Sequence, residues 1–180
     1  MNSSANRGAR NEWIGAIKTV GVGLLLAWGL RTFVGEVCYI PSDSMQPTLW
    51  AGDRLIVEKW VYDIHAPQRG DIVVFHAPPV LVAQGIHDDL IKRVIGLPGD
   101  VVAVTHGSVF INGQRWLEPY VETSADYNMG PLTIPLGHYL VLGDNRNHSY
   151  DSHDWGLLPA ANIVGRAWLR FYPLGRLRLF

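Results

Sequence analysis

From Glu36 onward, short runs of β-branched and aliphatic residues alternate with polar positions and are cut by turn residues. Alternation at period two over four to eight residues marks half-buried strands. Residues 54–59 (RLIVEK), 71–76 (DIVVFH), 90–96 (LIKRVIG), 100–105 (DVVAVT), 108–111 (SVFI), 138–143 (HYLVLG) and 163–171 (IVGRAWLRF) read this way. Gly52-Asp53, Arg69-Gly70-Asp71, Pro98-Gly99-Asp100, His106-Gly107 and Asn112-Gly113 punctuate them, and Asn-Gly is the strongest two-residue hairpin signal. Apart from a turn near 159–162, nothing beyond residue 35 carries a helical period. The pattern predicts an all-β domain, an antiparallel sheet or barrel over 35–180, with long loops at 76–89 and 118–131.

The amino-terminal pattern differs. Residues 13–34 read WIGAIKTVGVGLLLAWGLRTFV, and the strictly uncharged run within them is only 19–30. A bilayer needs about 20 apolar residues, but Lys18 and Arg31 at the ends can snorkel to the headgroups. The segment is therefore read as one transmembrane anchor, over a cleaved signal peptide, an interfacial helix or a buried helix. Arg7, Arg10 and Lys18 precede the core, and Glu36, Asp43 and Asp53 follow before the next basic residue after Arg31. The positive-inside rule keeps residues 1–12 cytoplasmic and puts 35–180 across the membrane.

Composition agrees with an anchored protein. Of the 180 residues, 48% are hydrophobic and only 17% charged. The net charge of -1 gives no ground for nucleic acid as a partner. A single cysteine, Cys38, excludes an intrachain disulfide and a cysteine-based zinc site.

Three stretches carry candidate chemistry. In residues 40–49 (IPSDSMQPTL), Pro41 and Pro47 bracket two serines; proline cannot extend a helix or ladder, so a rigid exposed turn that presents a hydroxyl is expected. In LIKRVIG, alternation puts Leu90, Lys92 and Val94 on one face and Ile91, Arg93 and Ile95 on the other. Lys92 then sits between aliphatic neighbours, where lost hydration disfavours the ammonium; an edge lysine that discourages aggregation is the plainer alternative. Residues 143–156 (GDNRNHSYDSHDWG) are dense in short polar side chains, suited to a solvated loop or to orienting a catalytic amine.

PSDSMQPTLWAGD, IKRVIGLPGD and GDNRNHSYDSHDWG together resemble, in order and spacing, the motifs of type I signal peptidases, membrane-bound Ser/Lys proteases. The resemblance implies a mostly β catalytic domain outside the cytoplasm that removes signal peptides from exported preproteins. It implies Ser44 as nucleophile, Lys92 as general base and Ser42 as an oxyanion donor. It further implies that Ser149 hydrogen-bonds and orients the lysine, that Asp151 and His153 support that loop, and that Ile40, Pro41 and Ile91 line the substrate groove. No metal or organic cofactor is implied; the partners are preproteins and membrane lipid. The location implied is the plasma membrane, or the thylakoid membrane if the source is cyanobacterial. Asp-Ser-His at 151–153 is similar to cyanobacterial and plastid members, where many bacterial members carry arginine at the position of His153. The competing readings are a self-cleaving repressor-like Ser/Lys protease, a Ser/His/Asp hydrolase using His148 or His153, a metal site of His148, Asp151 and His153, and a tethered β module without activity.

Overall fold

The computed structural model describes residues 18–23 and 35–180. The anchor expected over 13–34 lies outside the described residues except for 18–23, which are helical. Among the described residues, no helix is long and apolar enough to cross a membrane.

All seven runs read from the sequence form strands. In chain order the strands are β1 (Glu36–Tyr39), β2 (Arg54–Glu58), β3 (Ile72–Phe75), β4 (Leu90–Gly96), β5 (Val101–Thr105) and β6 (Ser108–Ile111). β7 (Gln114–Arg115), β8 (Met129–Thr133), β9 (His138–Leu142), β10 (Leu158–Pro159), β11 (Ile163–Tyr172) and β12 (Arg178–Leu179) follow. Among the described residues beyond 35, helices are limited to single turns, α1 (Val61–Ile64), α2 (Pro79–Val82) and α3 (Ser152–Trp155), and three 3-10 turns. One of these turns, Ala160–Asn162, falls where a helical turn was expected.

The strands form two antiparallel sheets. The larger has the order β1-β2-β11-β3-β4-β9-β10, with β12 also on β11; the smaller is β7-β6-β5-β8. Asn112 and Gly113 close the β6–β7 hairpin, both at positive φ (52° and 79°), as a type I′ turn requires. The expected loop at 118–131 is shorter than its sequence promised, because β8 begins at Met129. Its Gly130-Pro131 reads as a turn, yet β8 is an edge strand paired only to β5, where a missing N–H is tolerated.

Three apolar clusters hold the layers together. Ile40, Met45 and Leu49, from the loop joining β1 to β2, pack with Leu55, Val74 and Ile91. Phe75, Val94, Val141 and Trp155 form a second cluster. Ile95, Val102, Ile134 and Leu140 join the two sheets in a third. β11 has register shifts at Ile163/Gly165, Ala167/Leu169 and Arg170/Tyr172; bulges of this kind bend a strand and raise its twist, and the large sheet curls accordingly.

Gly165 is the tightest point of that bend. A Cβ there would lie 2.3 Å from the Glu58 carbonyl oxygen, a backbone atom that cannot swing aside. Gly165→Ala should cost about 1–3 kcal/mol, read as a fall of several degrees in Tm; an unchanged melt would mean that β2 and β11 separate more easily than this packing implies.

Candidate active site

The loop between β1 and β2 folds back on itself. Gln46 N donates to Asp43 O (3.1 Å), and Leu49 N donates to Met45 O (2.8 Å). Met45 and Leu49 are drawn fully into the core, and this corrects the expected exposed turn. Pro41, Ser42 and Asp43 face solvent, but Ser44 is only 8% exposed.

β4 brings Lys92 to the same point from 48 residues away. Its Nζ lies 2.8 Å from Ser44 Oγ and donates to the Ile91 carbonyl at 3.0 Å. At 4% exposure the side chain has lost nearly all its hydration. That burial pushes the ammonium down to about 8, against the opposing pull of Asp151 and Asp144. Below this value Nζ donates to Ser44 Oγ; above it, the neutral amine can accept the hydroxyl proton over the same distance. Ser42 Oγ lies 3.4 Å from Ser44 Oγ, so Ser42 joins the pair.

The 143–156 loop closes the other side. Asp151 is fully buried; its Oδ2 accepts from Gly143 N (2.8 Å), while Oδ1 accepts from His153 N (3.2 Å) and lies 2.9 Å from His153 Nδ1. Asp151 also caps α3, in a reciprocal capping box with Asp154. The hydrogen bond to Asp151 holds the His153 imidazole above its ordinary value. The His153 ring stacks on Tyr127 at 3.9 Å, and no hydrogen bond joins it to Ser44. Asp151, His153 and Asp154 place three potential metal-ligand atoms within 4.8 Å of one another; His148 is not among them.

The hydrogen bond implied between Ser149 and Lys92 is not formed. Ser149 is buried, and its Oγ has no partner among the described residues. Ser149 instead packs over Gly143, where a Cβ would meet its Oγ at 2.2 Å and the Ser44 carbonyl oxygen at 2.5 Å. Lys92 meanwhile directs two of its donors to Ser44 and Ile91.

Residues without an assigned role in the sequence brace the site. Arg93 donates to both Asp144 oxygens (2.7 and 2.6 Å), to Gly70 O (2.8 Å) and to Thr48 Oγ1 (3.3 Å). Thr48 Oγ1 in turn donates to Asp144 Oδ2 at 2.5 Å. Asn145 N donates to Ser44 O, and Asn145 Nδ2 donates to Asp43 O, both at 3.1 Å. Arg146, almost completely buried, makes a bidentate pair with Glu118 and donates to Gly143 O. The signal for Arg93 and Asp144 was their adjacency to Lys92 and Gly143; their pairing required the fold.

Beside the site, a cavity of about 180 Å³ is lined by Glu36–Tyr39 of β1 together with Val57, Val74, Asp89 and Val164. Ile40, Pro41 and Ile91 do not line it, although Ile40 and Ile91 belong to the same apolar cluster as Val57 and Val74. A larger cavity of about 610 Å³ lies behind the Ser44 loop and touches Thr48 and Arg93, but neither Ser44 nor Lys92.

The chain matches the family model for signal peptidase, peptidase S26, over residues 13–172. A signal peptidase I of Leptolyngbya laminosa is 55% identical over 89% of this chain and 80% of its own length. Signal peptidase I P of Bacillus subtilis subsp. natto is 36% identical over 93% and 92%. The chloroplastic thylakoidal processing peptidase 1 of Arabidopsis thaliana is 44% identical over 79% of this chain and 44% of its own. The chain therefore belongs to the signal peptidase family of serine endopeptidases.

Lys92 has a consequence for stability. In the unfolded chain its proton is held to about 10.4, against about 8 in the fold. Between those values the unfolded state binds more protons, so stability climbs with pH across that window and the burial penalty is fully present below it. Lys92→Met should therefore melt above the wild type at pH 7, with the gap closing above about pH 10; a variant less stable at pH 7 would contradict a desolvated lysine.

Proposed function

We propose that Ser44 and Lys92 form the catalytic dyad of a signal peptidase I that cleaves signal peptides from exported preproteins. The observation that carries this reading is the 2.8 Å contact between Ser44 Oγ and a lysine stripped of water. A hydroxyl is a weak nucleophile until a neighbouring base takes its proton. Neutral Lys92 takes the Ser44 proton as Oγ attacks the scissile carbonyl. The Ser44 N–H, which donates to no described residue, and the Ser42 hydroxyl stabilise the oxyanion. Lys92 then passes the proton to the leaving amine, and water, activated by the same lysine, releases the acyl-enzyme.

The substrate segment binds as an added strand. β4 pairs with β9 only from Arg93 onward, which leaves one edge of Leu90, Ile91 and Lys92 without a strand partner. Among the described residues, β1 pairs only with β2. An extended peptide between these edges gains backbone hydrogen bonds, and its alternate side chains point into valine-walled space that suits small residues. Ile40 and Ile91 pack behind Val57 and Val74, which wall this groove, while Pro41 lies at the solvent-exposed start of the Ser44 loop. Ser149, Asp151 and His153 hold the 143–156 loop behind the dyad, and His153 stands where many bacterial members carry arginine.

In this reading residues 13–34 are a single-pass anchor, 1–12 are cytoplasmic and 35–180 lie on the far side of the plasma or thylakoid membrane. Trp50 and Trp60, 44% and 41% exposed, are suited to the lipid interface. The reaction as written uses no metal and no organic cofactor.

Four variants of the full chain, assayed in detergent on a preprotein at one alkaline pH, test the dyad. Ser44→Ala and Lys92→Ala should each lower kcat by a factor of about 10³ or more, with the double variant no worse, because residues that act as a unit are not additive. His153→Arg should stay within about tenfold of wild type, since arginine can keep a hydrogen bond to the Asp151 carboxylate. If Lys92→Ala cleaved normally while His153→Arg was dead, the base would be His153 and the dyad would be wrong.

A further inference from the structure

Asp53 is a completely buried carboxylate at the far end of the loop that carries Ser44. Two backbone bonds pinch that loop shut, Ile40 N to Asp53 O (2.9 Å) and Gly52 N to Ile40 O (2.8 Å). A buried charge persists only where it is paired and hydrogen-bonded, and Asp53 is met by three donors. Oδ2 accepts from Trp50 N at 2.9 Å and from Arg170 at 3.3 Å, and Oδ1 accepts from Arg176. Both arginines come from the hairpin of β11 and β12, more than 100 residues away in sequence.

Arg170 does more than neutralise Asp53. It is 7% exposed, and one guanidinium nitrogen donates to the Thr48 carbonyl at 2.7 Å while Nε donates to the Arg176 carbonyl at 2.5 Å. Thr48 is thereby gripped at both ends, its carbonyl by Arg170 and its hydroxyl by Asp144 and Arg93. Leu49 N, next to Thr48, donates to Met45 O, next to Ser44, so a shift of Thr48 is passed through these neighbours to Ser44. Lys92, by contrast, is fixed by its own strand. A displacement of about 1 Å between two reacting groups can cost about 100-fold in rate, so the 2.8 Å contact depends on what holds the loop from the β11 side.

We propose that Arg170 is a positioning residue that fixes the Ser44 loop against Lys92 through the Thr48 carbonyl and Asp53, with Arg176 as a second and weaker clamp. The proposal rests on the Ser44–Lys92 reading above. Arg176 is weaker because it is partly open to solvent and lies over the exposed Trp50 ring at 5.6 Å, where screening reduces the value of an ion pair.

The test measures kcat, KM, the pH profile and thermal melting of the full chain in detergent with a preprotein substrate, for Arg170→Gln, Arg170→Lys and Arg176→Gln. Arg170→Gln should lose about tenfold or more in kcat with KM within twofold, stay folded at the assay temperature, and keep the acid limb of the pH profile in place. Arg170→Lys, which keeps the charge but cannot serve all three acceptors, should fall between it and wild type, and Arg176→Gln should lose less than Arg170→Gln. An undiminished kcat in Arg170→Lys or in folded Arg170→Gln overturns the proposal. So does a loss that tracks the folded fraction, or a displaced acid limb, which would put the effect on Lys92. If Arg170→Gln does not fold, Arg170→Lys decides alone. Ser44→Ala in the same assay separates the two claims: if it still cleaves, the dyad itself fails, whereas an inactive Ser44→Ala beside a fully active Arg170→Lys rejects only the role of Arg170.

Discussion

The bidentate ion pair between Arg93 and Asp144 joins the three segments that build the proposed active site. Arg93 follows Lys92 on β4, Asp144 opens the polar loop, and Thr48, from the serine loop, donates to the same carboxylate. The pair is almost fully buried, and removal of one partner from such a pair typically costs about 3–5 kcal/mol because the other is left uncompensated. The arrangement is therefore close to all-or-none. Tyr120 covers the guanidinium at 3.9 Å, adding a cation–π contact. What this pair provides is register: it sets the serine loop and the lysine strand at a fixed separation before substrate arrives.

That register allows burial to do chemical work. Among the described residues, no carboxylate is in direct contact with Lys92; Asp151 and Asp144 act on it only through longer-range attraction, which is weaker than the desolvation. A closer acid would restore the ammonium and abolish the proposed base. The fold keeps both acids occupied, Asp144 with Arg93 and Thr48, and Asp151 with Gly143, His153 and the α3 cap. The polar loop thus contributes partly by keeping its charges directed away from the amine.

Much of this was legible in the sequence where the information is local. Period-two alternation located the seven principal strands, Asn112-Gly113 located a hairpin, and alternation within LIKRVIG placed Lys92 among aliphatic residues. The family resemblance carried by three motifs implied that Ser44 works with Lys92. What escaped depends on distant contacts. The partners of Arg93 and of Asp53 lie 51 and more than 100 positions away, and no local pattern selects them. Ser44 was expected to be exposed because prolines signal a turn, but Met45 and Leu49 pull the turn into the core. β8 was hidden by Gly130-Pro131, whose turn chemistry is overridden at a sheet edge. Ser149 was expected to bond Lys92, yet its Oγ has no partner among the described residues and packs over Gly143.

The central claim is that burial in this framework turns Lys92 into a base near neutral pH. It is tested most directly by titrating the lysine side chains by NMR. The chain has three lysines, Lys18, Lys59 and Lys92, so ¹³Cε labelling with Lys92→Met for assignment isolates the signal. The account predicts that the Lys92 resonance titrates at about 8. A midpoint for Lys92 at the ordinary lysine value of about 10.4 would contradict it.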